Sequence, residues 1–358
     1  MKYNDFRRLT NEVKVGSLTI GGKSPITIQS MTNTDTHDIE ATYNQVMRLR
    51  NAGCDIVRIT APDLESVKTF SELRRRGVDI PLVADIHFDY KIAVAVAEAG
   101  VDKIRINPGN IGGRDRILEV VRACRERDIP IRIGVNSGSV EKRLIEKYGS
   151  PTKEALAESA LYHASLLEEL DFHNIVISVK SSDPITMIGA NRILAEKTSY
   201  PLHLGVTEAG ARMRAVVKSS IGVGALLADG IGDTVRISLT DDPVEEIAAA
   251  RAILDSIGIA EKPGLDIVSC PTCGRTKIDL ISLVDSFERR IKEEDLERKN
   301  IKVALMGCVV NGPGEAREAD IGIAGGKGEA LLFKKGEIIR KIEEKNVLDE
   351  LIDEIKKM

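Results

Sequence analysis

Eight times between residues 26 and 240 the sequence sets down a short β-branched run and follows it with a loop and a longer helical stretch. The runs are ITIQSM at 26, DIVRIT at 55, PLVADIH at 81, KIRINPG at 103, IRIGVN at 131, NIVISVK at 174, LHLGVTE at 202 and TVRISLT at 234. Stretches such as DIEATYNQVMRLRNAG and DPVEEIAAARAILDSIG separate them, with apolar residues at helical spacing and a closing glycine. Eight strand-then-helix units predict an α/β chain folded as a closed (β/α)8 TIM barrel, with an open doubly wound sheet as the alternative. AGCDIVRI at 52 and AGVDKIRI at 99 are locally self-similar, as repeated units would be.

The rhythm ends at AEKPGLD, which places the barrel at 1–262 and a second, smaller α+β domain at 263–358. That region reads as a strand entering a CxxC motif, a charged helix from about Lys277 to Lys299 and a strand KVALMGCVV. A glycine-rich loop, a hairpin from ADIGIAGG and EALLFKKG, and a closing amphipathic helix follow.

Alternation along the strands sorts each run into two faces. Val57 and Ile59 oppose Arg58; Ile104 and Ile106 oppose Lys103, Arg105 and Asn107. Ile131, Ile133 and Val135 oppose Arg132 and Asn136, and Val235 and Ile237 oppose Arg236 and Ser238, while Lys180 ends its strand. The apolar faces must meet the helical ring, so Arg58, Arg105, Arg132, Lys180 and Arg236 are expected inside the barrel. Interiors of this fold are ordinarily filled by Val, Ile and Leu. An excess of one sign points to an anionic substrate; internal ion pairs with Asp55, Asp85 and Glu208 are the structural alternative. His87 and Glu208 also fall at strand ends, where acid–base groups are placed.

Five cysteines are present. Cys54 and Cys124 lie in apolar helix-terminal contexts and read as core. Cys270 and Cys273 form the CxxC in SCPTCGR, and Cys308 follows in MGCVVNGPGEA, with Glu315 seven positions on. Three thiolates and one exchangeable carboxylate suit an iron–sulfur cluster; a zinc site and a redox dithiol remain open on spacing alone. A formal net charge of −4 argues against general nucleic-acid binding. No apolar run reaches the roughly 18 residues of a membrane span, and the start has no signal-peptide run, so a cytoplasmic, membrane-free protein is expected.

The stretches SMTNTDT, RINPGNIG, GVNSGS, VKSSD, LGVTEAG, SCPTCGR and GCVVNGPGEA together resemble the 4-hydroxy-3-methylbut-2-enyl diphosphate synthase family of the non-mevalonate isoprenoid pathway. The resemblance implies an iron–sulfur oxidoreductase that reductively opens 2-C-methyl-D-erythritol 2,4-cyclodiphosphate to (E)-4-hydroxy-3-methylbut-2-enyl diphosphate. It implies a 4Fe-4S cluster on Cys270, Cys273, Cys308 and Glu315, diphosphate contacts from Arg58, Arg105, Arg132, Asn136, Lys180, Arg236 and Ser238, and a pocket carboxylate at Glu208. His87 joins the substrate contacts, and Glu208 and Glu315 are the expected catalytic carboxylates. Flavodoxin or ferredoxin is the implied electron donor, and the chain matches the shorter bacterial two-domain form. The runner-up activity is a zinc-dependent aldolase or hydrolase acting on a sugar phosphate.

A head-to-tail homodimer is also expected. The last barrel helix returns the chain to the face opposite the strand carboxyl ends, and a linker as short as GIAEKPG spans at most about 23 Å.

Overall fold

The computed structural model describes residues 3–259, 264–297, 299–310 and 316–358. The chain divides into two compact units, Met1–Ala260 and Glu261–Met358.

The first unit opens with an antiparallel hairpin, β1 (Val13–Val15) and β2 (Leu18–Ile20). Eight parallel strands follow: β3 (Thr27–Met31), β4 (Ile56–Thr60), β5 (Leu82–Asp85), β6 (Lys103–Ile106), β7 (Ile131–Asn136), β8 (Ile175–Lys180), β9 (His203–Leu204) and β10 (Thr234–Val235). Their spatial order runs β8-β7-β6-β5-β4-β3-β10-β9, and a bridge between Ile177 and Leu202 joins β8 to β9, closing the barrel. Every strand falls on one of the eight runs read from the sequence, so the TIM barrel is confirmed.

Local chemistry fixes where each helix starts. Asp38, Asp89, Thr152, Asp183 and Asp242 each precede a helix and accept a hydrogen bond from a backbone N–H of its first turn. Such caps contribute about 1 kcal/mol each, and Pro184 and Pro243 at the first helical position add a preset φ.

Alternation then builds two cores. Val57, Ile59, Ile104, Ile106, Ile131 and Ile133 point outward into the helical layer. Ile56, Val83 and Val176 point inward and pack on Val13, Val15 and Ile20, so the N-terminal hairpin supplies an apolar floor. That hairpin was not anticipated, because strands of three residues are too short to show a period.

The second unit is a five-stranded mixed sheet ordered β11-β12-β13-β14-β15. The strands are β11 (Asp266–Ser269), β12 (Lys302–Met306), β13 (Ile321–Gly325), β14 (Glu329–Lys334) and β15 (Glu337–Glu343). The first three are parallel and the last three antiparallel. Helices Leu280–Glu293 and Val347–Lys356 bury Phe287, Ile291, Leu351, Ile352 and Ile355 against it. The charged helix is shorter than the sequence suggested. It starts at the Asp279 cap and stops before Asp295, whose φ of 52° breaks the helical path. Edge strand β15 carries the charged sequence EIIRKIE and was missed for that reason.

Candidate active site

The inward residues of β4 to β8 and the segment after β10 meet at the carboxyl end of the barrel. Arg58, Asp85, His87, Arg105, Arg132, Asn136, Lys180 and Arg236 line a cavity of about 130 Å³ together with Gly134, Ser178 and Thr207. Two carboxylates serve these cations. Asp85 accepts from Arg105 Nη1 at 3.0 Å and lies 3.6 Å from Arg58 Nε. Glu246, from helix Pro243–Ser256, pairs with Arg236 at 2.9 Å and accepts from Ser30 Oγ at 2.8 Å. Arg58 leans its Nε on Met31 Sδ at 3.1 Å, and Arg105 also donates to the Gly134 carbonyl and meets His87 Nε2, each at 3.1 Å.

Among the described residues no carboxylate pairs with Arg132 or Lys180. Arg132 is buried, and its Nε and Nη2 have no hydrogen-bond partner among the described residues; the same holds for Lys103 Nζ and both ring nitrogens of His203. Burial, reinforced by neighbouring cations, pushes Arg132, Lys180, Lys103 and His203 well below their usual values. Burial alone would raise Asp85, but the guanidinium groups of Arg58 and Arg105 hold its carboxyl well below the ordinary range. Leaving the buried Arg132 donors unpaired is costly, and an incoming polyanion in the cavity is the partner that would satisfy them.

Two glycines make the crowding possible. A Cβ on Gly134 would stand 2.3 Å from Arg105 Nε, and one on Gly205 would stand 2.3 Å from the Arg236 carbonyl oxygen and 2.9 Å from Lys180 Nζ. Each inward-facing glycine thus clears space for a neighbouring cation.

In the second unit, β11 and β12 run parallel and end level, Ser269 opposite Leu305. The loops leaving them carry Cys270 and Cys308. The Gly307 N–H points at Cys270 Sγ, 3.2 Å away, and Cys273 lies one turn on, its own N–H donating to Thr276 Oγ1 at 3.1 Å. Cys308 is buried, Cys270 half-buried and Cys273 exposed, and all three are free thiols. Hydrogen bonds from the Arg275 backbone and guanidinium hold the Cys273 thiol below its usual value, favouring the thiolate. By contrast, burial pushes Cys54 and Cys124 up to about 12, as core residues should behave. Among the described residues no three His, Cys, Asp or Glu side chains converge on a single-ion site. Glu315 lies outside the described residues.

Sequence profiles of two domains match in tandem: the GcpE TIM-barrel domain over residues 10–251 and the GcpE C-terminal domain over residues 266–357. The chain belongs to the GcpE family. It is 58% identical over 346 residues to a Clostridium perfringens protein named 4-hydroxy-3-methylbut-2-en-1-yl diphosphate synthase (flavodoxin), covering 97% of this chain and 98% of that one. Proteins of the same name from Ruminiclostridium cellulolyticum and Geobacillus thermodenitrificans are 57% and 55% identical, each over 98% of this chain and 98% and 93% of theirs. These matches bear out the family and the enzyme class expected from the sequence, and favour them over the zinc-dependent aldolase or hydrolase.

Within this GcpE barrel the expected substrate contacts Arg58, His87, Arg105, Arg132, Asn136, Lys180 and Arg236 share one cavity. Ser238 is half-buried nearby, its hydroxyl without a partner among the described residues, and does not line that cavity. Glu208 is exposed, with φ at 52°, and does not line it either. Of the carboxylates weighed as ion-pair partners, Asp85 takes that part. Glu246 was missed, since it sits on a helix and is buried at 3% exposure. Lys103, on the polar face expected from alternation along β6, and His203 of β9 are both buried outside that cavity lining. Among the described residues no helix is long and apolar enough to cross a membrane.

Proposed function

We propose that this chain is a reductive diphosphate synthase that opens 2-C-methyl-D-erythritol 2,4-cyclodiphosphate to (E)-4-hydroxy-3-methylbut-2-enyl diphosphate. The observation that carries the reading is the charge imbalance inside the barrel: Arg58, Arg105, Arg132, Lys180 and Arg236 face one cavity with, among the described residues, only Asp85 and Glu246 paired against them. A cyclic diphosphate supplies the missing negative charge. Arg105 and Arg58, braced by Asp85, present fixed guanidinium planes; Lys180 adds a point charge, and Asn136 contributes a neutral hydrogen-bond partner, with the unpartnered Ser238 hydroxyl outside the cavity lining as a further candidate. His87, hydrogen-bonded to Arg105, contacts the substrate from the rim, and Glu208, in the loop after β9, is the candidate proton donor.

Cys270, Cys273, Cys308 and Glu315 would hold a 4Fe-4S cluster. The donor set fits one: two adjacent parallel strands deliver two thiols to one sheet end, a backbone N–H already addresses a sulfur, and Cys273 is biased toward thiolate. Such a cluster supplies single electrons and a Lewis-acidic iron, with flavodoxin as the donor.

The short linker GIAEKPG supports a head-to-tail homodimer with sites built from two chains. Mixing inactive Cys308→Ser and Arg132→Ala variants with subunit exchange should restore activity, because one site in each mixed dimer then carries neither defect.

The direct test is anaerobic purification with iron and sulfide analysis, followed by turnover of the cyclodiphosphate with reduced flavodoxin. A brown protein that opens the ring is expected. A colourless protein holding stoichiometric zinc, inactive after cluster reconstitution, would overturn the reading.

A further inference from the structure

Lys103 is an interior lysine that does not line the anion cavity. It begins β6 in register with Val83, two residues and one layer below Arg105. The side chain is fully buried and Nζ has no hydrogen-bond partner among the described residues. Beneath it lies the apolar floor of Val13, Val15, Ile20, Ile56 and Val176.

The groups around it are cationic or already engaged. Arg58 on β4 and Arg132 on β7 act on it directly, and it in turn bears on His203 of β9, as does Lys180 of β8. Asp102, the preceding residue, is taken by Arg74 and the Leu82 N–H; Asp85 on β5 is taken by Arg58 and Arg105; Glu246 is taken by Arg236 beyond β10. Nothing in this set compensates an ammonium at position 103.

We propose that Lys103 is a neutral amine in the unliganded barrel and takes one proton from solvent when a diphosphate enters the cavity above it, making anion binding proton-linked. The inference rests on the anion-site reading given above. Burial first, then Arg132 and Arg58, lowers Lys103 far below an ordinary lysine, and Asp102 opposes this only weakly. A ligand carrying two or more negative charges on Arg58 and Arg132 reverses the local potential, so Nζ accepts a proton relayed through solvent; the new N–H bond forms as the buffer acid gives up its proton and is left as its conjugate base. Lys103 is therefore a positioning residue, which balances the ligand's charge through the arginines that touch it.

Calorimetric titration of the full-length holoprotein with inorganic pyrophosphate, in two buffers of different ionisation enthalpy at pH 8, counts the protons taken up. Sulfate, which does not titrate near neutrality, serves as a second probe whose uptake must come from the protein. Wild type is expected to absorb about one proton more than Lys103→Met, and its affinity to fall about tenfold more per pH unit than the variant's as pH rises. Lys103→Gln, which keeps a polar end, is the second variant should Lys103→Met fold poorly. Equal proton counts in wild type and variants, or no uptake with sulfate bound to wild type, overturn the assignment while leaving the anion site standing. A wild-type protein that binds neither probe overturns both.

Discussion

Asp85 and Arg105 are register partners on adjacent barrel strands, and their side chains meet inside at 3.0 Å. Asp85 is the brace for two guanidinium groups, because Arg58 approaches its second oxygen at 3.6 Å. The pairing converts two repelling cations into a fixed pair of forks aimed at the cavity.

Asp85→Asn should therefore destabilise the barrel by about 3–5 kcal/mol, the cost of leaving buried charges uncompensated. Chemical denaturation checks this. Added pyrophosphate should recover up to about 2.7 kcal/mol at a hundredfold excess over its Kd, since the ligand replaces the missing negative charge. A variant as stable as wild type without ligand would contradict the bracing role.

Arg132 has the opposite signature. It is 1% exposed, beside Arg105 in register, and two of its nitrogens lack partners among the described residues. Arg132→Met should raise the unliganded protein's stability by roughly 1–2 kcal/mol, as removal of strained functional groups commonly does. Diphosphate affinity should fall roughly 10- to 100-fold, the worth of a charge-assisted hydrogen bond. Melting curves with and without pyrophosphate separate the two effects.

Acid stability should decline in two stages. His203 is buried with its folded-state pKa depressed, so the unfolded chain binds a proton that the folded chain refuses; the His203 contribution to stability is full above the unfolded value of about 6.5 and falls as pH drops below it, by about 1.4 kcal/mol per unit. Asp85 is also depressed, and its contribution starts to fade only near its unfolded value of about 3.9. Urea midpoints measured from pH 7 to pH 3 should show both stages, and His203→Gln should remove the first alone.

Much of this was legible in the sequence because strands report their faces by alternation. Arg58, Arg105, Arg132, Lys180 and Arg236 were placed inside the barrel on that ground, and all five line the cavity. The hairpin floor was not legible, since its strands are too short to carry a period and its contacts with Ile56, Val83 and Val176 are long-range. Glu246 was hidden for a related reason: its helical periodicity says only that one face is buried, not that a carboxylate on it turns toward Arg236. Glu208 shows the converse limit, for its place at a strand end did not put it on the cavity wall, and its left-handed φ comes from the loop.

Gly134 could have been read as a weak link in a β-strand, yet the structure gives it a specific purpose. It occupies the inward position of β7 between Arg132 and Asn136, and the Arg105 guanidinium from β6 lies across it and donates to its carbonyl. A Cβ there would sit 2.3 Å from Arg105 Nε and 3.0 Å from its Cζ, so Gly134→Ala must push the guanidinium aside. The displaced arginine loses its alignment with Asp85 and intrudes on the cavity. The backbone of Gly134 is an ordinary strand paired in register with Ser178, so alanine itself is tolerated there and the barrel should stay folded. We expect KM for the cyclodiphosphate to rise roughly 10- to 100-fold, as for loss of one charge-assisted contact, with a cluster spectrum identical to wild type. Steady-state kinetics alongside the visible spectrum provides the check, and an unchanged KM would show that the Arg105 guanidinium does not bind substrate from this position.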